Sequence, residues 1–250
     1  MPDLWAFVVS IETYAHPDWP RVKGATNDGN RTVAYLQTDR NVPTSHILRI
    51  QDAQATRHEI IAAFKRHLVD NPEIKHGDAI LFHYSGHGSR SPAPKNWPVI
   101  EEGGDEEGGD ETKGPKLEMI TPYDESTLDE NGTVICGIPD RTLGVLLDLV
   151  SERHGDNVTV VLDCCHSGSG TRGESEEENP FQARGLDPSL VTPLREDVDK
   201  HLWDMEVLER RKPRKGAFTG RRAKSHVLMA ACGQYEEALG DTRSGLLTTY

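Results

Sequence analysis

The sequence predicts an α/β protein with a largely parallel β-sheet and helices on both of its faces. Three observations carry this. Runs of β-branched and apolar residues recur at 4–11, 46–50, 79–84, 158–162 and 226–231, each the length of a buried strand. Between them lie segments with apolar residues at helical spacing, and strands alternating with amphipathic helices build parallel sheets. Two of the strands also end in glycine-punctuated polar turns, at the strand ends where open α/β sheets keep their chemistry. At 250 residues one large domain with a sizeable core is the default.

The first strand, Leu4 to Ile11, is apolar apart from Ser10. Gly24-Ala-Thr-Asn-Asp28 offers capping residues for a helix whose apolar stripe includes Val33 and Leu36. His46 to Ile50 makes a second strand. Thr56-Arg-His-Glu59 is a capping box ahead of Ile60, Ile61, Phe64 and Leu68. Strand three is Ala79 to Tyr84. Residues 89–117 then turn proline-rich, acidic and glycine-rich, a composition that buries no core and predicts a mobile loop. Glu118–Thr121 and Thr133–Cys136 are expected to pair around the turn Asp129-Glu-Asn-Gly132. Pro139 suits a first helical position, and Leu143, Leu146, Leu147 and Val150 mark that helix's buried face. Val158 to Leu162 is the fourth strand. Residues 170–225 form a polar linker, acidic at Glu174–Glu178 and basic from Arg210 to Lys224, and His226 to Ala231 is the fifth strand.

A net charge of -13 argues against nucleic acid and anionic membranes as partners and allows a preference for basic ones. No apolar run is long enough for a transmembrane helix, and Met1-Pro-Asp-Leu-Trp5 lacks the order of a secretory signal. Four cysteines, at 136, 164, 165 and 232, make a poor disulfide framework in a chain this long. A reducing, cytoplasmic or nuclear setting is expected, and a monomer.

The chemistry gathers at the two turns. One runs Asp163-Cys164-Cys165-His166-Ser167-Gly168, the other Ser85-Gly86-His87-Gly88-Ser89. A thiol at one strand end and an imidazole at another suggest a Cys/His dyad. A lone cysteine or histidine is more often a core residue; both motifs together reverse those odds. Strand side chains alternate faces, so Asp163 and Cys165 point one way and Cys164 the other, which selects Cys165 as nucleophile and Cys164 as a core thiol. His87 would take the thiol proton or protonate the leaving amine. The backbone N–H groups of Gly88 and Cys165 are candidates for an oxyanion hole.

Tyr84-Ser85-Gly86-His87-Gly88 and Asp163-Cys164-Cys165-His166-Ser167-Gly168 resemble, in this order and each after an apolar strand, the two catalytic motifs of the caspase-like cysteine peptidases of clan CD, and most closely those of the metacaspases. The resemblance runs from about Leu4 to Tyr250. It implies a caspase-like three-layer α/β/α sandwich, with a large-subunit region at 1–169, an intersubunit linker at 170–225 and the start of a small-subunit region at 226–250. In the family a helix and another strand follow, so the chain is expected to be truncated there. The resemblance implies an endopeptidase cleaving protein or peptide substrates after Arg or Lys through an acidic first pocket. Asp163 would face the basic side chain, Asp28 would supply a second carboxylate unless it only caps its helix, and Ser85 would line the wall. A caspase proper would hold a substrate aspartate with basic residues, and these motifs contain none.

No cofactor is required for such chemistry, but many metacaspases need calcium, and hard cations prefer clustered carboxylates. Asp105, Asp110, Asp124 and Glu125 fall in the corresponding region, whereas the acidic residue expected seven positions after the nucleophile is Arg172; a solvated acidic loop is the plain alternative. Self-cleavage is expected after a basic residue of 209–224, or near Arg172 or Arg184. Two other classes stay open: a zinc hydrolase using His83, His87 and His166 with a cysteine, though that spacing is not a helical metal pair, and a catalytically inactive caspase-like scaffold. A caspase-type peptidase cleaving after Asp is a third alternative.

Overall fold

Residues 2–95, 97, 116–164, 182–203, 226–231 and 239–240 are described by a computed structural model. In chain order the elements are β1 (Leu4–Ser10), α1 (Ala25–Thr38), β2 (Ile47–Gln51), α2 (Arg57–Phe64), β3 (Ala79–Ser85), β4 (Gly88–Pro92), β5 (Lys116–Ile120), β6 (Ile138–Pro139), α3 (Asp140–His154), β7 (Val158–Asp163), β8 (Gln182–Ala183), α4 (Lys200–Trp203), β9 (Val227–Ala230) and β10 (Leu239–Gly240). The main sheet runs β2-β1-β3-β7-β9, every pairing parallel.

Side-chain alternation along β1 divides the core between the faces of this sheet. Trp5, Phe7 and Val9 join Ile60 and Phe64 of α2 and Leu143, Leu146, Leu147 and Val150 of α3 in the largest apolar cluster. Ala6, on the opposite face, packs with Leu36 of α1 and with Val42. The result is the three-layer α/β/α arrangement expected. Because β2 lies on one side of β1 and β3 on the other, the strand order switches direction at β1, and a crevice opens at the carboxyl ends of β1 and β3. Register brings Ser10, Ser85 and Asp163 level across three strands there.

Local differences from the expectations have identifiable causes. The helix expected after Gly24 starts at Ala25, but Gly24 caps it in a left-handed conformation (φ 84°) without any side-chain bond, so Asp28 is not a cap. Thr56 does cap α2, accepting the Glu59 N–H at 3.2 Å. The stretch 89–117 is not a loop throughout: β4 and β5 pair antiparallel at its two ends, and its acidic centre lies outside the described residues. β5 pairs on its other edge with Ile138–Pro139 and not with Thr133–Cys136. Asp129 explains this, since its Oδ1 accepts the N–H groups of Asn131 and Thr133 and turns the chain tightly there. Pro139 sits just before α3, as its cap residue.

Residues 182–203, inside the stretch expected to be a linker, pack on the domain. Leu186, Leu194 and Leu202 are buried. Arg57 grips Asp199 with both guanidinium nitrogens, at 3.0 and 2.6 Å, and Thr142 donates to the same carboxylate at 2.7 Å. The Trp97 indole N–H donates to the Glu196 carbonyl at 3.0 Å. A polar composition hid these few well-placed anchors.

Candidate active site

His87 stands in the short turn between β3 and β4, at the crevice. It is fully buried, and its Nε2 lies 2.9 Å from the Pro20 carbonyl. A carbonyl only accepts, so Nε2 carries the proton and Nδ1, which has no hydrogen-bond partner, presents a lone pair. Burial pushes the imidazole down to about 4, offset in part by the Pro20 and Arg184 backbone carbonyls. His87 is therefore neutral at physiological pH, as a general base must be.

Two tyrosines fix the turn. The Tyr14 hydroxyl accepts the His87 N–H at 2.7 Å, with the Tyr14 and His87 ring centroids 5.1 Å apart. The Tyr84 hydroxyl bonds to the His87 carbonyl at 2.7 Å and the Thr121 carbonyl at 2.9 Å. Gly86 is required here: a Cβ would stand 2.7 Å from the Tyr84 hydroxyl and 3.0 Å from that of Tyr14. Neither tyrosine was singled out by sequence, because each works through the backbone of another residue.

Asp28, Ser85 and Asp163 come together from α1, β3 and β7, and all three are fully buried. Ser85 Oγ donates to Asp28 Oδ2 at 2.9 Å. Arg184 closes the set. Its guanidinium lies 2.7 Å from Asp28 Oδ2 and 3.2 Å from Asp163 Oδ1, and it donates to Ser85 Oγ at 2.9 Å and to the Asp163 carbonyl at 3.3 Å. Only 1% of the Arg184 side chain is exposed. Two carboxylates around one guanidinium supply the compensation a buried cation needs.

The main chain around Arg184 is placed as specifically. The Gly88 N–H donates to the Arg184 carbonyl at 2.9 Å, and the Leu186 N–H donates to the Gly88 carbonyl at 3.0 Å. Just upstream, Gln182–Ala183 runs antiparallel to Leu239–Gly240. An extended segment thus crosses the crevice with a basic side chain in the acidic pocket and that residue's carbonyl on a backbone N–H next to His87. Cys164 is buried in the main apolar cluster, on the core side of the sheet. Cys165 and His166 lie outside the described residues.

The profile of the family described as "Metacaspase, peptidase C14 domain" matches residues 5–172. The chain belongs to the metacaspase family. The chain is 29% identical over 177 residues to Metacaspase-1 of Candida albicans, covering 66% of this chain and 35% of that one. Against Metacaspase-9 of Arabidopsis thaliana it is 27% identical over 133 residues, 53% of this chain and 33% of that one. This metacaspase chain therefore spans about a third of the length of these relatives. A crystal structure of a protein from Geobacter sulfurreducens shares the fold, with a TM-score of 0.61 at 19% identity over 99% of this chain and 79% of the other.

Of the metacaspase's four candidate calcium ligands, Asp105 and Asp110 lie outside the described residues. Asp124 accepts the Arg57 N–H at the start of α2, at 2.7 Å. Glu125 is fully buried, and neither of its oxygens has a hydrogen-bond partner. Burial pushes its carboxyl up to about 8, offset only in part by the backbone of Thr192 and Gly137 and by Arg57. A helix-end acceptor and a buried neutral acid do not fit a calcium ion, and among the described residues no three His, Cys, Asp or Glu side chains group to hold a metal.

Glu125 does predict a pH dependence. Unfolded, it releases its proton near the ordinary value of 4.5; folded, it keeps it to about 8. The folded state then binds more protons over that range, and stability falls as pH rises, by about 1.4 kcal/mol per unit. Buried His83 and His87, both pushed down to about 4, act oppositely but only below their unfolded value of 6.5. Asp140 is pushed up to about 7 by burial and adds to the fall only up to that pH. Denaturant melts from pH 7 to 8 should show a decline that Glu125→Gln removes.

Proposed function

We propose that this metacaspase domain is a cysteine endopeptidase that cleaves after Arg or Lys, with Cys165 as nucleophile and His87 as base, and that the Arg184–Gly185 bond is its own first substrate. The observation that carries this reading is the seating of Arg184: a guanidinium between two carboxylates and a serine hydroxyl, with its carbonyl on the Gly88 N–H. A substrate arginine would meet the same groups. An aspartate there would face Asp28 and Asp163 with like charge, which disfavours a caspase-type preference.

The chemistry follows from these positions. Nδ1 of His87 takes the thiol proton as sulfur attacks the carbonyl carbon of the basic residue. The oxyanion formed is held by the Gly88 N–H. The carbon–nitrogen bond breaks as His87 returns the proton to the leaving amine, and a thioester remains. Water, deprotonated by His87, attacks the thioester, and the thiol leaves with the proton. The Pro20 carbonyl keeps the imidazole in the tautomer that both steps use.

Intact-mass analysis of the purified chain tests this. Fragments ending at Arg184 and beginning at Gly185 are expected, absent in Cys165→Ala and lost at this bond in Arg184→Ala. Cuts confined to bonds after acidic residues would sink the reading.

A further inference from the structure

Resting on the reading of Gln182–Leu186 as a bound peptide, the geometry points to a second specificity site on the leaving-group side of the bond: an apolar pocket for a large aliphatic side chain two residues after the basic one. Leu186 occupies it. Leu186 is only 1% exposed, yet none of the three apolar clusters formed by described residues includes it. Its burial is therefore tied to the place where the segment is seated, and not to the core that builds the domain.

The backbone fixes the position. Gly88 donates to the Arg184 carbonyl and accepts from the Leu186 N–H, pairing with Gly185 between them in a parallel bridge. One residue of the protein thus sets the register of three residues of the peptide. In an extended chain, side chains two apart point to the same side. Arg184 and Leu186 both turn inward, and Gly185 between them carries no side chain. Beyond Leu186 the segment leaves the crevice: Asp187 Oδ1 accepts the Ser189 N–H at 2.9 Å and starts a short helical turn, Pro188–Leu190. The site accordingly ends at the second residue after the bond. A charged side chain in this position would be desolvated without a partner, whereas leucine or methionine fills it.

The test uses the full chain after self-processing and quenched peptides built on Gln-Ala-Arg-Gly-X, with X as Leu, Met, Ala, Asp or Lys. The expected kcat/KM with Leu or Met is at least about tenfold above that with Asp or Lys, the usual scale for an apolar pocket, with Ala between. A flat profile with Arg still cleaved would overturn the pocket and leave the basic specificity standing. No cleavage of any of these peptides would overturn both. Self-processing gives an independent reading. Leu186→Asp should slow the cut after Arg184 by a similar factor and Leu186→Met should not. An unchanged rate in Leu186→Asp contradicts the pocket and spares the assignment of Arg184.

Discussion

Replacing Cys165 by alanine is expected to reduce peptide cleavage and self-cleavage to background, while Cys164→Ala leaves both near normal. The two residues are neighbours with opposite fates. Asp163 turns into the acidic pocket beside Arg184, and Cys164 turns into the main apolar cluster at 2% exposure. Continued alternation returns the next side chain to the pocket side. Loss of a nucleophile that acts with its base typically costs around 10⁶-fold in turnover. Losing a core thiol costs on the order of 1 kcal/mol of stability. A folded but inactive Cys164→Ala beside an active Cys165→Ala would reverse the assignment.

The second large effect is expected at Asp28. Its carboxylate is fully buried and holds both Ser85 and Arg184, so Asp28→Ala leaves a buried guanidinium short of a partner. Breaking a buried pair from one side costs about 3–5 kcal/mol, and thermal stability should fall accordingly. In Asp28→Ala/Arg184→Ala much of that loss should return, since no cation is then left stranded; the double-mutant cycle measures the coupling. Turnover of arginine peptides should drop by roughly 10²–10³-fold, within the about 2–5 kcal/mol that such a truncated pair costs. Were Asp28 only a helix cap, its removal would cost about 1 kcal/mol and spare turnover. Cleavage of arginine peptides unchanged in Asp28→Ala would take this residue out of the pocket.

Much of this was legible in the sequence because the signals are local. Apolar runs fixed all five strands of the main sheet to within a residue or two, and the Thr56 box marked a true helix start. The turns after strands three and four supplied the motif residues, and the fold brings Asp28, Ser85 and Asp163 together as the family resemblance implied. What escaped notice depends on distance along the chain. Arg184 meets Asp28 across 156 positions, and no pattern around either residue announces the pair. Arg57 and Asp199, separated by 142 positions, anchor a segment whose polar composition suggested a free linker. Tyr14 and Pro20 serve His87 through a hydroxyl and a carbonyl placed by the chain path after β1. Glu125, read as a calcium ligand, is instead sealed inside, and burial is a property of the fold that residue type does not disclose.

The acidic pocket makes one claim above all others, that the residue before the scissile bond must be a cation. Arginine should be cleaved at least as well as lysine, because its planar guanidinium reaches Asp28, Ser85 and Asp163 together, as Arg184 does. The direct measurement is kcat/KM on matched peptides that differ only in Arg, Lys or Asp at that position. The expected order is Arg equal to or above Lys, with Asp at background. A preference for Asp would contradict the account and leave only the caspase-like fold.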